Sequence, residues 1–469
     1  MYLSRISVRN VKTFHGPREV KLDLTRPDGS YAGWTVLAGR NGSGKTTLLR
    51  AVALAVTGPD NAHRLMPSFK AWMSEGAERA DAFAEVVPAY EYDYWAVDGT
   101  DEQPPPSVPS AMRWEWRNPP AMGARGSRPA EPSVTSASGL ALWPPVPGSI
   151  WDPQPVGWLL AGYGSFRRLS GGEGHRKPVG VLSRLGTLFD EDASLAEGVS
   201  WLVGQHLRAL EGDEAAAELK ATALAVLGDG LLPDGCRVVD VDSEGLWVDW
   251  ESRRFPLREM SDGLRTITAL VVDLLRQVYE SYAAAREEGV ALTEQRDGRT
   301  VVSVPGVVLI DEVDAHLHVS WQRRIGPWLT AHFPGIQFIV TTHSPYICQS
   351  ADPGGLIRLP GPGEQTGPQV VDEDLYERVV YGSGDDAALS ELFGLDSPYS
   401  EKAEALRAEL VALEGQVLRG DADAAALARY TRIKQLLTSS PSARLDEMSA
   451  RLSLLAEEGA RPADGGHGE

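Results

Sequence analysis

The stretch Trp34-Thr35-Val36-Leu37-Ala38 runs directly into Gly39-Arg40-Asn41-Gly42-Ser43-Gly44-Lys45-Thr46-Thr47 and then into Leu48-Leu49-Arg50-Ala51-Val52. An apolar strand, a glycine-rich turn and an apolar helix in that order leave few folds open. The pattern G-x-x-x-x-G-K-[ST] spans Gly39 to Thr46, and each position has a physical role. The glycines let backbone N–H groups, those of Asn41, Gly42, Ser43 and Gly44 included, curl around β- and γ-phosphates. Lys45 brings a cation to the same oxygens. The hydroxyl of Thr46 is a hard oxygen ligand suited to Mg2+, and Thr47 beside it is a further candidate nucleotide-binding residue. The helix expected from Thr46 to Val56 turns the positive end of its dipole towards that anion. These features predict an α/β fold with a nucleoside-triphosphate site.

Two later apolar runs supply the rest of such a sheet. Val307 to Ile310 ends in Asp311-Glu312, and Gln337 to Thr341 ends in Thr342-His343-Ser344-Pro345. Runs apolar on both faces belong to a parallel sheet covered by helices. Ahead of the glycine-rich turn, Leu3 to Val8 and Val20 to Leu24 alternate, which predicts a small antiparallel unit leading into the phosphate strand. After the first helix the character changes. Thirteen of the 32 prolines fall between Pro104 and Pro155, which excludes a long helix there. Residues 60–160 read as an irregular insertion, partly disordered around 99–138. Trp114, Trp116, Trp143, Trp151 and Trp158 are expected to anchor it. A helical stretch follows over 193–228, then a hairpin with strands Cys236–Val241 and Leu246–Trp250, then an amphipathic helix from Gly263 to about Glu288. The expected layout is a first half of the core (1–59), an insertion and lid (60–258, with the Pro/Trp-rich loop at 99–156), and a second half (259–384). A helical C-terminal region (385–456) and a disordered tail (457–469) complete it.

Asp311 at a strand end is placed to share Mg2+ with Thr46, and Glu312 beside it can take a proton from an attacking water. His343, at the end of another buried strand, suits a hydrogen bond to a γ-phosphate or to that water. His316-x-His318 follows closely. Without a companion Cys or His cluster it reads as packing rather than as a metal site.

Met260-Ser261-Asp262-Gly263-Leu264-Arg265 resembles the signature motif of ABC-type ATPases, with Met260 in place of the usual leucine. Leu309 to His318 resembles their Walker B and D-loop, with Asp314 in the D-loop, and His343 resembles their switch histidine. As a set, the motifs are most similar to the ABC-like ATPases, labelled AAA, of the OLD, RecF and Septu kind. That similarity also takes in the run from Phe333 to Pro345, and Gly162-Tyr163-Gly164 followed by Arg167. It covers roughly 1–58 and 160–375. It implies an ABC-type ATPase head with a parallel-sheet core, an N-terminal antiparallel β subdomain, a large irregular or helical insertion and a C-terminal helical region. It further implies ATP and Mg2+ as cofactors and a head-to-tail homodimer. In that dimer Ser261 and Gly263 of one subunit close over the ATP held by Lys45 of the other. No glutamine can be placed as the Q-loop residue.

The stand-alone ATPases of Septu- or retron-like antiviral systems, whose nuclease is a separate chain, are the most similar group. A RecF-like replication-repair ATPase is the alternative. A transporter subunit fits less well, because about fifty residues separate the signature from Walker B. A fused nuclease would need Asp372-Glu373-Asp374 inside an α/β module, and the residues that follow read as helices. Composition sets the remaining bounds. The net charge of −20 argues against a nucleic-acid-coating protein. It leaves a local basic groove open, with Arg167-Arg168, Arg176-Lys177, Arg253-Arg254 and Arg323-Arg324 as candidates. Two widely spaced cysteines, no secretory pattern and no membrane-length apolar run lead to the expectation of a cytoplasmic protein.

Overall fold

The computed structural model describes residues 1–94, 105–116, 131–137, 147–167, 180–233 and 235–437. The first part of the chain forms strands β1 (Tyr2–Arg9), β2 (Val20–Asp23) and β3 (Gly33–Ala38), helices α1 (Lys45–Thr57) and α2 (Pro59–Leu65), then β4 (Arg79–Val87), β5 (Val108–Glu115), β6 (Ser133–Ser136) and β7 (Leu160–Tyr163). Helices α3 (Val181–Phe189), α4 (Ala196–Leu210) and α5 (Glu214–Gly228) follow, then β8 (Arg237–Asp242), β9 (Gly245–Trp250) and β10 (Arg253–Pro256). Next come α6 (Asp262–Ser281), α7 (Ala283–Glu287), the hairpin β11 (Thr293–Arg296) and β12 (Arg299–Val302), and β13 (Gly306–Ile310). The core closes with α8 (Val319–Gln322), α9 (Ile325–His332), β14 (Ile336–Thr342), α10 (Pro345–Cys348), β15 (Leu356–Arg358) and β16 (Gln369–Val370). Four helices end the described chain: α11 (Glu373–Val380), α12 (Gly384–Leu389), α13 (Glu401–Arg419) and α14 (Ala424–Leu437).

The central sheet has the order β16-β15-β3-β14-β13-β7, and every pair from β15 to β7 is parallel. Its strands are apolar on both faces because both faces are covered. Val36, Ala38, Val308, Ile310, Phe338 and Val340 point into one core, which they share with Ile267, Leu270 and Leu274 of α6. Leu37, Val307, Leu309, Ile339 and Ile357 point the other way, into a core shared with Leu48, Leu49 and Val52 of α1. The far side of α1 packs on a second, antiparallel sheet of order β2-β1-β4-β5-β6. This is an α/β fold in which one helix lies between a parallel and an antiparallel sheet.

The reading of 60–160 as irregular is corrected by that second sheet. Strands β4, β5 and β6 extend the antiparallel subdomain begun by β1 and β2. Proline density excludes helices but not strands. Pro109 lies where β5 pairs with β4 alone, since β6 reaches only Met112–Glu115, so its missing N–H interrupts no ladder on that side. Trp114, Trp151 and Trp158 are buried in the core beneath, and Trp116 is partly buried against it. Trp143 lies outside the described residues. The single helical stretch expected over 193–228 is two helices, α4 and α5, preceded by α3.

The chain divides into compact units at Met1–Gly394 and Leu395–Glu469. In the second unit, α13 and α14 pack as a hairpin, with the Arg429 guanidinium donating to both Glu409 oxygens at 2.7 Å. Residues 438–456 of the expected C-terminal helical region and the expected tail (457–469) fall outside the described residues. Among the described residues, no helix is long and apolar enough to cross a membrane.

Candidate functional site

The phosphate loop leaves β3 at Ala38 and enters α1 at Lys45. Gly44 caps this helix with φ +99°, and a Cβ there would stand 2.6 Å from the Phe14 ring. Only glycine fits that corner. The turn between β1 and β2 therefore seats the loop from below, a role the sequence reading did not foresee. No side chain caps α1, so its first N–H groups remain available to an anion. Asn41 and Gly42 are exposed, Ser43 is buried, and Thr46 and Thr47 are half-buried in the first turn of the helix. The Lys45 ammonium is buried and donates to the carbonyls of Gly39 (2.7 Å) and Arg40 (3.2 Å). Burial pushes its pKa down to about 8, against the pull of Asp311, Glu312 and Asp314.

Strand order explains why distant residues meet. β14 lies between β3 and β13, so the phosphate loop, Asp311 and His343 all emerge at the same end of the sheet. The Thr46 hydroxyl donates to Asp311 Oδ2 at 2.8 Å, across 265 residues of sequence. Asp311 Oδ1 accepts from the Thr341 hydroxyl at 2.6 Å. One hydroxyl and one carboxylate oxygen make a donor set that suits Mg2+, which keeps several waters when bound. Glu312 is half-buried beside them. Burial raises its pKa above the ordinary carboxyl range, and Asp311 and Asp314 raise it further, while Lys45 and Arg167 oppose them.

Asp314 turns back towards β14, where it accepts from the Thr342 hydroxyl and from the His343 N–H at 3.4 Å. It thereby holds the backbone at His343. The exposed His343 side chain has a pKa lowered first by partial burial and then by Lys45.

Ser261 and Gly263 stand elsewhere, at the start of α6. Ser261 is exposed and makes no side-chain cap bond. A Cβ on Gly263 would lie 2.3 Å from the His316 carbonyl oxygen. The cleft of about 270 Å3 at this helix end is lined by Ser261, Gly263, Leu264, His316, His318 and Trp321 among others, and by no phosphate-loop residue. His318 caps α8 by accepting from the Ser320 N–H, and His316 adopts φ +65°. Among the described residues, no group of three metal-ligating side chains gathers.

One further sequence expectation is corrected. Arg167 is not part of a basic groove. It is 4% exposed, and its guanidinium donates to the carbonyls of Asp311 and Glu312. Of the other arginine pairs, Arg254 is tied to Asp240 and lies over Trp247, while Arg323 and Arg324 lie over Tyr346 and Trp321. Arg168, Arg176 and Lys177 lie outside the described residues. Asp372, the first acid of the nuclease-like trio, caps α11 by accepting from the Leu375 N–H at 2.9 Å, and Glu373 and Asp374 occupy its first turn. Acids there are ordinary helix-start chemistry.

Known proteins show the same pattern of likeness. Residues 248–349 match a family described as "AAA domain, putative AbiEii toxin, Type IV TA system", and residues 5–82 match an "AAA domain" family. The Septu protein PtuA of Bacillus mycoides is 24% identical over 346 residues, which is 73% of this chain and 38% of that protein. The "Retron Ec83 probable ATPase" of Escherichia coli is 40% identical over 107 residues, 23% of this chain and 17% of that one. The chain thus spans well under half the length of the curated relatives it matches. The SMC head domain from Thermotoga maritima aligns with 79% of this chain and all of its own, at 14% identity and a TM-score of 0.41. Topology, rather than that overlap, carries the fold assignment. In sequence, the chain is similar to the Septu and retron ATPases that its own motifs resemble.

Proposed function

We propose that this chain binds ATP with Mg2+ and hydrolyses it. The observation that carries this reading is the 2.8 Å bond between Thr46 and Asp311, which joins the phosphate loop to the acid of a distant strand, with Lys45 and Glu312 alongside. Lys45 and the loop N–H groups would hold the β- and γ-phosphates. Thr46 and Asp311 would hold Mg2+, which when bound neutralises phosphate charge. Glu312, its carboxylate made more basic by burial and then by neighbouring acids, would accept the proton of the attacking water, with His343 beside the γ-phosphate. Phosphate release by the purified protein should be lost in Lys45→Ala and Asp311→Asn. Undiminished release from both variants would remove the assignment.

The composite site belongs to the same reading. Ser261 and Gly263 line a cleft separate from the phosphate loop, and the Ser261 hydroxyl is exposed without a cap bond. A second copy placed head to tail would bring that helix end to the γ-phosphate. Likeness to Septu and retron ATPases supports a defence role in which ATP-driven dimer closure controls a separate nuclease chain. The capping role of Asp372 is consistent with a nuclease supplied from elsewhere. Co-expression with the product of a neighbouring nuclease gene, followed by co-purification and a DNA-cleavage assay with and without ATP, tests this part.

A further inference from the structure

β7 borders β13, the strand that ends in Asp311, and the chain leaving β7 carries Arg167. The side chain does not point to solvent. Its Nη2 donates to Asp311 O at 2.8 Å and to Glu312 O at 2.6 Å, and its Nε donates to Gly164 O at 3.1 Å. From the opposite side, at the end of β14, the Thr341 hydroxyl accepts the Glu312 N–H at 2.7 Å while donating to Asp311 Oδ1 at 2.6 Å. Between these two grips Glu312 has φ +46°. The left-handed region is disfavoured for any residue with a Cβ, so something must hold it there. Leaving a strand does not by itself require such a turn. Freed from both grips, residue 312 would relax to an extended or right-handed backbone, and its carboxylate would swing with it.

We propose that Arg167 and Thr341 are positioning residues which hold Glu312 in its left-handed turn and so fix where its carboxylate stands for the attack on ATP. The inference rests on the reading of Glu312 as the base. Two carbonyls one residue apart and a third on Gly164 call for a planar, multi-donor head, which lysine lacks. A charge is also wanted at this place, because Asp311, Glu312 and Asp314 crowd one turn. Burial lowers the Arg167 pKa to about 10 while those acids oppose the change, so it stays charged at neutral pH.

The test compares Arg167→Lys, Thr341→Val, Thr341→Ser and Glu312→Gln in the full chain at saturating Mg2+, reading kcat, KM, the Kd of a fluorescent ATP analogue and Tm. Arg167→Lys and Thr341→Val should each lower kcat tenfold or more, with KM and Kd within threefold of the parent. Thr341→Ser, which keeps the hydroxyl, should stay within threefold in kcat. Adding Arg167→Lys to Glu312→Gln should lower the residual rate no further, because the base it positions is already gone. If Glu312→Gln is inactive but Arg167→Lys and Thr341→Val turn over at the parent rate, the positioning role is overturned and the base stands. If Glu312→Gln itself turns over at the parent rate, the reading beneath the proposal fails. Joint loss of kcat, nucleotide affinity and Tm in Arg167→Lys and Thr341→Val would assign these residues to folding alone and also overturn it.

Discussion

Replacing Ser261 or Gly263 with alanine should separate two effects that lie two residues apart. At Gly263 the new Cβ would meet the His316 carbonyl at 2.3 Å, roughly 1 Å inside ordinary contact, so the chain's own D-loop must shift. Overpacking of this kind costs about 1–3 kcal/mol. For a unit the size of Met1–Gly394, the usual unfolding entropy per residue turns that into a Tm drop of about 1–4 °C. Gly263→Ala is therefore expected to damage the isolated subunit. Ser261→Ala removes an exposed hydroxyl that makes no cap bond, so Tm should hold within error. If that hydroxyl meets the partner's γ-phosphate, its loss forfeits one hydrogen bond to a charged group, about 1.5–3 kcal/mol, or about 10- to 150-fold in turnover. Thermal melts and steady-state phosphate release read both. Mixed Lys45→Ala and Ser261→Ala chains should regain part of the activity, because each heterodimer keeps one intact composite site. Parental turnover by Ser261→Ala, or no recovery once mixed dimers are shown to form, would refute the trans arrangement.

Other outcomes follow from the same geometry. With a free-protein pKa of about 8 for Lys45, raised again by phosphates, nucleotide binding near pH 8 should take up protons and weaken as pH rises through that value. Calorimetry in buffers of different ionisation enthalpy checks the uptake. Asp372→Ala should lower stability by about 1 kcal/mol as a lost cap, visible in urea melts, and leave ATP turnover unchanged. The purified chain should leave plasmid and single-stranded DNA intact with Mg2+ or Mn2+, as gel assays would show. Truncation after Gly394 should keep ATP hydrolysis, as phosphate release would show. A cut at 385 would instead remove Phe393 and Gly394, whose carbonyls accept from Arg40 in the phosphate loop.

The proposed site residues were legible because the chemistry proposed for them dictates spacing. Gly39 to Thr46 and Asp311-Glu312 each follow an apolar strand, and the structure brings Thr46 and Asp311 into contact. The supports were not legible. Arg167 stood both in the family resemblance, after Gly162-Tyr163-Gly164, and among the paired arginines, and neither reading tells that three carbonyls will surround it. Phe14 shapes the glycine corner at Gly44 only after β1 and β2 pair. The strands within 60–160 were obscured by proline, whose exclusion of helices says little about sheet edges. Gly263 shows a further gap. The motif suggests a partner's nucleotide, whereas its close neighbour within the chain is its own D-loop carbonyl.

The central claim is a hydrolytic site built on Glu312, and Glu312→Gln addresses it most directly. This substitution keeps the side chain's shape and spares Thr46 and Asp311, but removes the proton acceptor. The variant should bind ATP with Mg2+ at parental affinity and still hold it as ATP, not ADP, when the bound nucleotide is extracted after a long incubation. Recovery of ADP at the parental rate would contradict the account.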